Sequence, residues 1–236
     1  MEVSKVMRLY AYHAYRKLWI FPAVGAMYVL LIFLQGHDSF GFWHQTAEQF
    51  PSLLVALLSA LILTSDTENE FAKCYGVPFT RLGFAQFLPH LVYPLLISLV
   101  AVPLYWILFT AGALHDYQLP IPEYAVLFFS LFVTFFLVSA FTLLVRVLIR
   151  NTYVTFSAFL IAFSPCYTLH NNLLLKKLPI TMAKYDIWIT GLLYSEKYAL
   201  TEEMWLTNRL AFLGIAVLFF VGSLVLLRQK NYENIR

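Results

Sequence analysis

Few residues in this chain could do chemistry, and they are widely spaced. His90, His170, Asp186, Glu202 and Glu203 are the ionisable side chains that fall in or beside strongly apolar stretches. A membrane enzyme acting on a lipid or peptide needs at least one such group near the bilayer as acid, base or metal ligand. The pair Glu202-Glu203 would suit an EExxxR site, but the arginine would have to stand at residue 207, which is Thr207, and Arg209 comes two positions late. His37 with His44, and His115-Asp116, lack zinc-site spacing such as HExxH and read as polar loop residues. Ser164-Pro165-Cys166 ends an apolar run with no base nearby in sequence. The only other cysteine is Cys74, so no disulfide framework or CxxC metal motif is available. No GxxxxGK[ST] run occurs, so any ATP that drives this chain must be bound by another polypeptide. Neither a catalytic residue nor a metal site is expected in this chain.

The elements that must position these residues are apolar. The chain has 236 residues, of which 61% are hydrophobic and 12% charged. A soluble domain is nearer 45–50% apolar and about 25% charged, so lipid is the expected solvent. The formal charge of +3 is too small to argue for nucleic acid. Six apolar segments stand out, at 18–34, 49–64, 88–114, 124–145, 153–169 and 210–227, and none contains Asp, Glu, Lys or Arg. That absence argues against a proton-coupled carrier. His90 falls within the third segment and reads as an interfacial or hydrogen-bonded residue, with a relay role as the alternative. The same segment holds Pro89, Pro94 and Pro103, so kinks or a break are expected, tolerable where neighbouring helices satisfy the freed carbonyls.

The expected fold is therefore an all-α integral membrane protein with six transmembrane helices, a single domain over 1–236. Lys and Arg sit mostly on the segments that would be cytoplasmic if both termini are inside. Residues 1–17 place Val3, Val6, Met7, Tyr10 and Ala14 on one helical stripe, with Lys5, Arg8 and Arg16 off it. This predicts an amphipathic helix lying in the interface, ahead of a retained first span rather than a cleaved leader.

The stretch "SDTENEFAKCYGVPFTRLGF" between the second and third segments is different. Ser65-x-x-Glu68 fits a capping box, Asp66, Glu68 and Glu70 crowd the first turns, and Lys73 sits near the end. Gly76 and Pro78 then stop the helix. A separate helix within 65–76 is too short to be stable alone in water and needs a surface to pack on. Phe71 and Tyr75 form an i, i+4 pair that could face it. Headgroups are one surface, but three acids against an anionic leaflet favour a protein partner.

An interfacial N-terminal helix, six spans, an acid-led short helix after the second span and a large segment before the last span resemble the permease of an ABC-2 type exporter. "TENEFAKCYGVPFTR" carries the acids and the Pro-containing turn of that family but lacks its Gly-Thr. "NRLAFLGIAVLFFVGSLVLLRQKNYE" also resembles the last span and basic tail of small bacterial permeases of this type. The resemblance implies that 65–76 is a cytoplasmic coupling helix, with Asp66, Glu68, Glu70, Phe71, Lys73 and Tyr75 facing an ATPase subunit dimer. It implies ATP and Mg on that partner, no cofactor in this chain, a second permease copy or a sister permease, and the plasma membrane as location. Residues 170–208 are too apolar for a free loop, with Trp188 and Trp205 suited to an interface. Short helices dipping back into the outer leaflet are expected there, and the resemblance makes them an outer gate containing Trp188, Leu192 and Leu193. Phe128, Phe132 and Phe135 could line a path for greasy cargo; the alternative is that they face lipid or pack between helices. The functional expectation is an exporter subunit for hydrophobic or amphipathic cargo, such as a peptide, an antimicrobial or a lipid-like molecule. The alternatives are a membrane enzyme on lipid or peptide, or a non-transporting immunity or sensor protein.

Overall fold

The computed structural model describes residues 40–62, 79–110, 121–149, 151–193 and 200–233, together with Ala26. The expected interfacial helix, most of the first span and the coupling helix with all six of its named residues lie outside these. Among the described residues the chain is helical, without strands. The helices are α1 (Phe40–Ile62), α2 (Phe79–Thr110), α3 (Ile121–Ile149), α4 (Thr152–Leu174), a six-residue 3-10 turn (Ile180–Tyr185), the single turn α5 (Thr190–Leu193) and α6 (Glu202–Glu233). Four of them are long and apolar enough to cross a membrane, within α2, α3, α4 and α6. In α1 the apolar run is shorter, Glu48–Leu61.

The bundle is built around α3. Its apolar residues go all the way round, which requires burial on every side. It packs against α1, α2, α4 and α6, and 72% of its span is buried, against 11% for α4 and for α6. Tyr153, Ile161 and Leu218 are among the residues that leave the outer faces of α4 and α6 apolar and open, as lipid contact demands. One core cluster joins Val55, Ile97, Leu131, Phe135 and Phe159 from four helices; another joins Phe136, Ala140, Trp188 and Ala216.

Pro89, Pro94 and Pro103 all lie within α2, which runs as one helix of 32 residues rather than two. Pro94 has no N–H to give to His90 four residues earlier. That carbonyl instead accepts from Ser139 Oγ of α3 at 2.9 Å. Ser139 Oγ also lies 2.8 Å from Ser59 Oγ of α1, and the ring of His90 is fully buried beside it. A proline in one helix is thus answered by a serine of the next, and His90 takes the hydrogen-bonded role.

Between α3 and α4 only Arg150 and Asn151 intervene. Asn151 is extended (φ −119°, ψ 122°) and caps α4, its Oδ1 accepting from Tyr153 N at 3.0 Å and Val154 N at 3.1 Å. Asn151→Ala is expected to cost about 1 kcal/mol, read as a small fall in thermal midpoint in detergent, while Asn151→Asp leaves the midpoint near that of the parent.

The far end of α4 closes with a left-handed residue. Lys176 has φ 57°, Lys177 N donates to Asn172 O at 2.8 Å and Lys176 N to Leu173 O at 2.7 Å. This is the paired bonding of a Schellman stop, with lysine where glycine is usual. Pro179 then turns the chain into the 3-10 turn.

Candidate functional site

From Asp186 to Leu192 the chain is non-helical for several residues yet sits inside the bundle. Ala183, Ile187, Trp188, Ile189 and Leu192 are buried, Leu193 is half-buried, and α5 packs against α1, α3 and α6. Irregular backbone at membrane depth is tolerated only where protein groups satisfy it. Two adjacent residues of α6 do this. Asn208 Nδ2 donates to Asp186 O at 2.8 Å and Lys184 O at 3.1 Å, with Ala183 O at 3.4 Å. Arg209 Nη2 donates to Ile187 O at 2.7 Å.

The rest of the guanidinium faces α3 and α1. Arg209 Nη1 donates to Thr134 Oγ1 at 2.7 Å and to Ser130 O at 3.2 Å, and Nε to Asn208 Oδ1 at 3.0 Å. Thr134 Oγ1 in turn donates to Glu48 Oε1 at 3.1 Å, and the same carboxylate oxygen lies 3.6 Å from Arg209 Nη1. Thr190 Oγ1 of α5 donates to Glu48 Oε1 and is paired with Ser130 Oγ. Since Thr190 has one hydroxyl proton, Ser130 is then the donor in that pair. Glu48 Oε1 therefore collects hydrogen bonds from α3 and α5 and the charge of α6.

A second buried polar pair adjoins the first. His170 Nδ1, near the end of α4, is bonded to Asp186 Oδ2, while Asp186 Oδ1 accepts from Trp188 N at 3.0 Å. The latter is an Asx turn, which sets the direction of the backbone into the bundle. Glu48, His170, Asp186 and Arg209 all have 0% exposure. Glu48 Oε2 and His170 Nε2 are buried with no hydrogen-bond partner among the described residues.

The expectation that the spans carry no Asp, Glu, Lys or Arg does not hold. The windows 49–64 and 210–227 stop one residue short of Glu48 and Arg209, and the helices run through both. The window 124–145 likewise stops between Glu123 and Arg146, both inside α3. Each charge is missed because hydropathy scores it as though it faced lipid, whereas Glu48 and Arg209 face each other. The useful sequence signal was the Asn208-Arg209 dipeptide at the head of an apolar run, too short to end the helix and too polar to face lipid.

Of the ionisable candidates, His170 and Asp186 come together, which their sixteen-residue separation did not disclose. His90 is bonded to Ser139 elsewhere in the bundle, and Glu202 and Glu203 are exposed in the first turn of α6. Trp188 is buried among Phe136, Ala140 and Ala216, and Leu192 with Leu173 and Ala183. Phe135 is fully buried in the four-helix core, and Phe128 and Phe132 are half-buried and stacked on one another (centroids 6.4 Å apart, planes at 11°). No group of three or more His, Cys, Asp or Glu side chains suits a metal ion among the described residues. Chemically the arrangement fastens a backbone segment and holds charge out of water. No family model, curated protein or solved structure matches the chain.

Proposed function

We propose that this chain is the transmembrane subunit of an ATP-driven exporter of the ABC-2 type, moving hydrophobic or amphipathic cargo out of the cell. In this reading it has six spans, both termini are cytoplasmic, and the chain works in the plasma membrane as one of two permease subunits. ATP and Mg are held by a separate ATPase dimer that grips Asp66, Glu68, Glu70, Phe71, Lys73 and Tyr75. The observation that carries the reading beyond the resemblance is the segment Asp186–Leu193, folded into the bundle and fastened by Asn208, Arg209 and Glu48 from two different helices. A transporter needs an element with two discrete positions whose balance a distant site can bias. A segment held by a defined polar clamp is such an element: a small relative shift of α1 and α6 breaks the clamp as a unit. Trp188, Leu192 and Leu193 would then be the residues that leave the closed outer gate.

The test is co-purification with the ATPase subunit, comparing the parent chain with Glu68→Lys/Glu70→Lys. The charge reversal is expected to lower recovery of the complex at least about tenfold, as like charges replace attraction, and to abolish cargo-stimulated ATP hydrolysis. An unchanged complex and unchanged hydrolysis remove the coupling assignment. A second reading, a membrane enzyme, draws on one observation, the buried His170–Asp186 pair with Nε2 of the imidazole unpartnered. Loss of a lipid- or peptide-processing activity in His170→Gln, with no ATPase present, would favour it. ATP-dependent cargo movement in reconstituted vesicles separates the exporter from an immunity or sensor protein.

A further inference from the structure

We propose that the connection Leu175–Tyr185 is a docking surface for anionic phospholipid headgroups, and that the bound lipid holds the buried segment Asp186–Leu193 behind it in place. The course of the chain puts this connection at one face of the bundle. α4 ends at Leu174 after 23 residues, a length of about 35 Å that matches a bilayer's hydrocarbon core. The chain then passes through the connection and re-enters the bundle at Asp186, which is buried. Residues placed between a span and a buried return lie at headgroup depth.

The connection has two faces. On the inner one Leu178, Ile180 and Ala183 pack with Leu173 and Leu192. On the outer one Leu175, Met182 and Tyr185 are 65%, 37% and 56% exposed, interleaved with exposed Lys176, Lys177 and Lys184. Lys184 Nζ stands 4.9 Å from the centre of the Tyr185 ring. Water suits the lysines but not the leucine and methionine, and hydrocarbon suits the reverse. The headgroup layer suits both, with tyrosine at its usual depth and the ammonium groups reaching for phosphate. Anionic lipid is favoured because lysine is a compact charge that binds phosphate, and basic clusters beside a span are drawn to it. From 171 to 193 the sequence holds one acid, Asp186, which is buried and bonded to His170 and Trp188 N. Glu202 and Glu203 are exposed at the head of α6, and Glu196 lies outside the described residues. What defines the surface is therefore the placing of three lysines among apolar side chains, not a net charge.

The same backbone is held from within. Lys184 O and Ala183 O accept from Asn208 Nδ2 at 3.1 Å and 3.4 Å, while the Lys184 side chain points outward. A lipid that binds this folded arrangement and not the opened one stabilises it by mass action. The surface goes beyond the exporter reading, since neither nucleotide nor a partner chain enters it.

The test is the thermal midpoint of the full chain in detergent micelles, titrated with phosphatidylglycerol, phosphatidylcholine or soluble glycerol phosphate. Phosphatidylglycerol is expected to raise the midpoint by about 3 °C or more beyond phosphatidylcholine, and glycerol phosphate to leave it unchanged. Lys177→Gln/Lys184→Gln is expected to lose at least half of that excess, and Lys177→Arg/Lys184→Arg, which keeps both charges, to retain it. Both lysines are exposed, so neither pair disturbs the core, and Lys176 is left in place as the left-handed stop of α4. Equal rises with the two lipids, or an undiminished excess in the glutamine pair, overturn the proposal. A rise with glycerol phosphate alone replaces the lipid surface with a plain phosphate site and overturns it as well.

Discussion

Arg209→Met is expected to be among the most damaging single changes in the described part of the chain, lowering stability by about 3–5 kcal/mol. The loss has a specific origin. Ser130 O, Ile187 O and Thr134 Oγ1 lose the N–H groups of Arg209, and the Glu48 carboxylate loses the one cation within 4 Å among the described residues. Removing one member of a buried pair leaves the other charged and unsolvated, which costs more than the pair contributed. The companion Glu48→Leu/Arg209→Met should recover part of the loss, because the stranded carboxylate goes with it. Recovery stays incomplete, since Ile187 O keeps only the long 3.4 Å bond from Thr134 Oγ1, and a poorly satisfied buried group costs about 1–3 kcal/mol. Thermal or denaturant unfolding of the detergent-solubilised protein reads both. A single variant within about 1 kcal/mol of the parent, or a double variant no better than the single, would show that the clamp does not hold the segment.

The second large effect concerns the aromatic helix. Phe135→Ala is expected to cost about 3–5 kcal/mol, the range for deleting a fully enclosed ring. Its ring sits among Val55, Ile97, Leu131 and Phe159, contributed by α1, α2, α3 and α4, so no single helix can collapse into the space. Phe128→Ala should cost much less: Phe128 is half-buried, and its stacking on Phe132 is worth about 0.5–1.5 kcal/mol beyond area. The contrast separates two roles that the sequence left open. A ring that packs between helices loses stability when truncated, and export falls only with the amount of folded protein. A ring that lines a cargo path loses export at unchanged unfolding midpoint. Measuring both quantities for Phe128, Phe132 and Phe135 assigns each ring, and Phe135 is expected in the first class.

Much of the architecture was legible in the sequence because it depends on local patterns. Runs of apolar residues of membrane length became α2, α3, α4 and α6. The apolar character of 180–193 marked a segment that could not be a free loop, and its residues 186–192 are buried. Proline positions in α2 forecast carbonyls needing outside partners, and Ser139 supplies one to His90. The candidate site was legible only in pieces. His170 and Asp186 stood out as isolated ionisable residues, while Glu48 and Arg209 lie one residue outside the apolar segments 49–64 and 210–227, Ser130 and Thr134 lie within 124–145, and Thr190 lies in the connecting segment 170–208.

By itself, then, the sequence determined which stretches avoid water, because that preference is a property of each side chain and its near neighbours. Only the tertiary structure decided which charges could remain inside. Glu48 meets Thr134 across 86 residues and Thr190 across 142. A buried charge is stable or ruinous according to what stands within a few ångströms of it, and no periodicity along the chain records that distance.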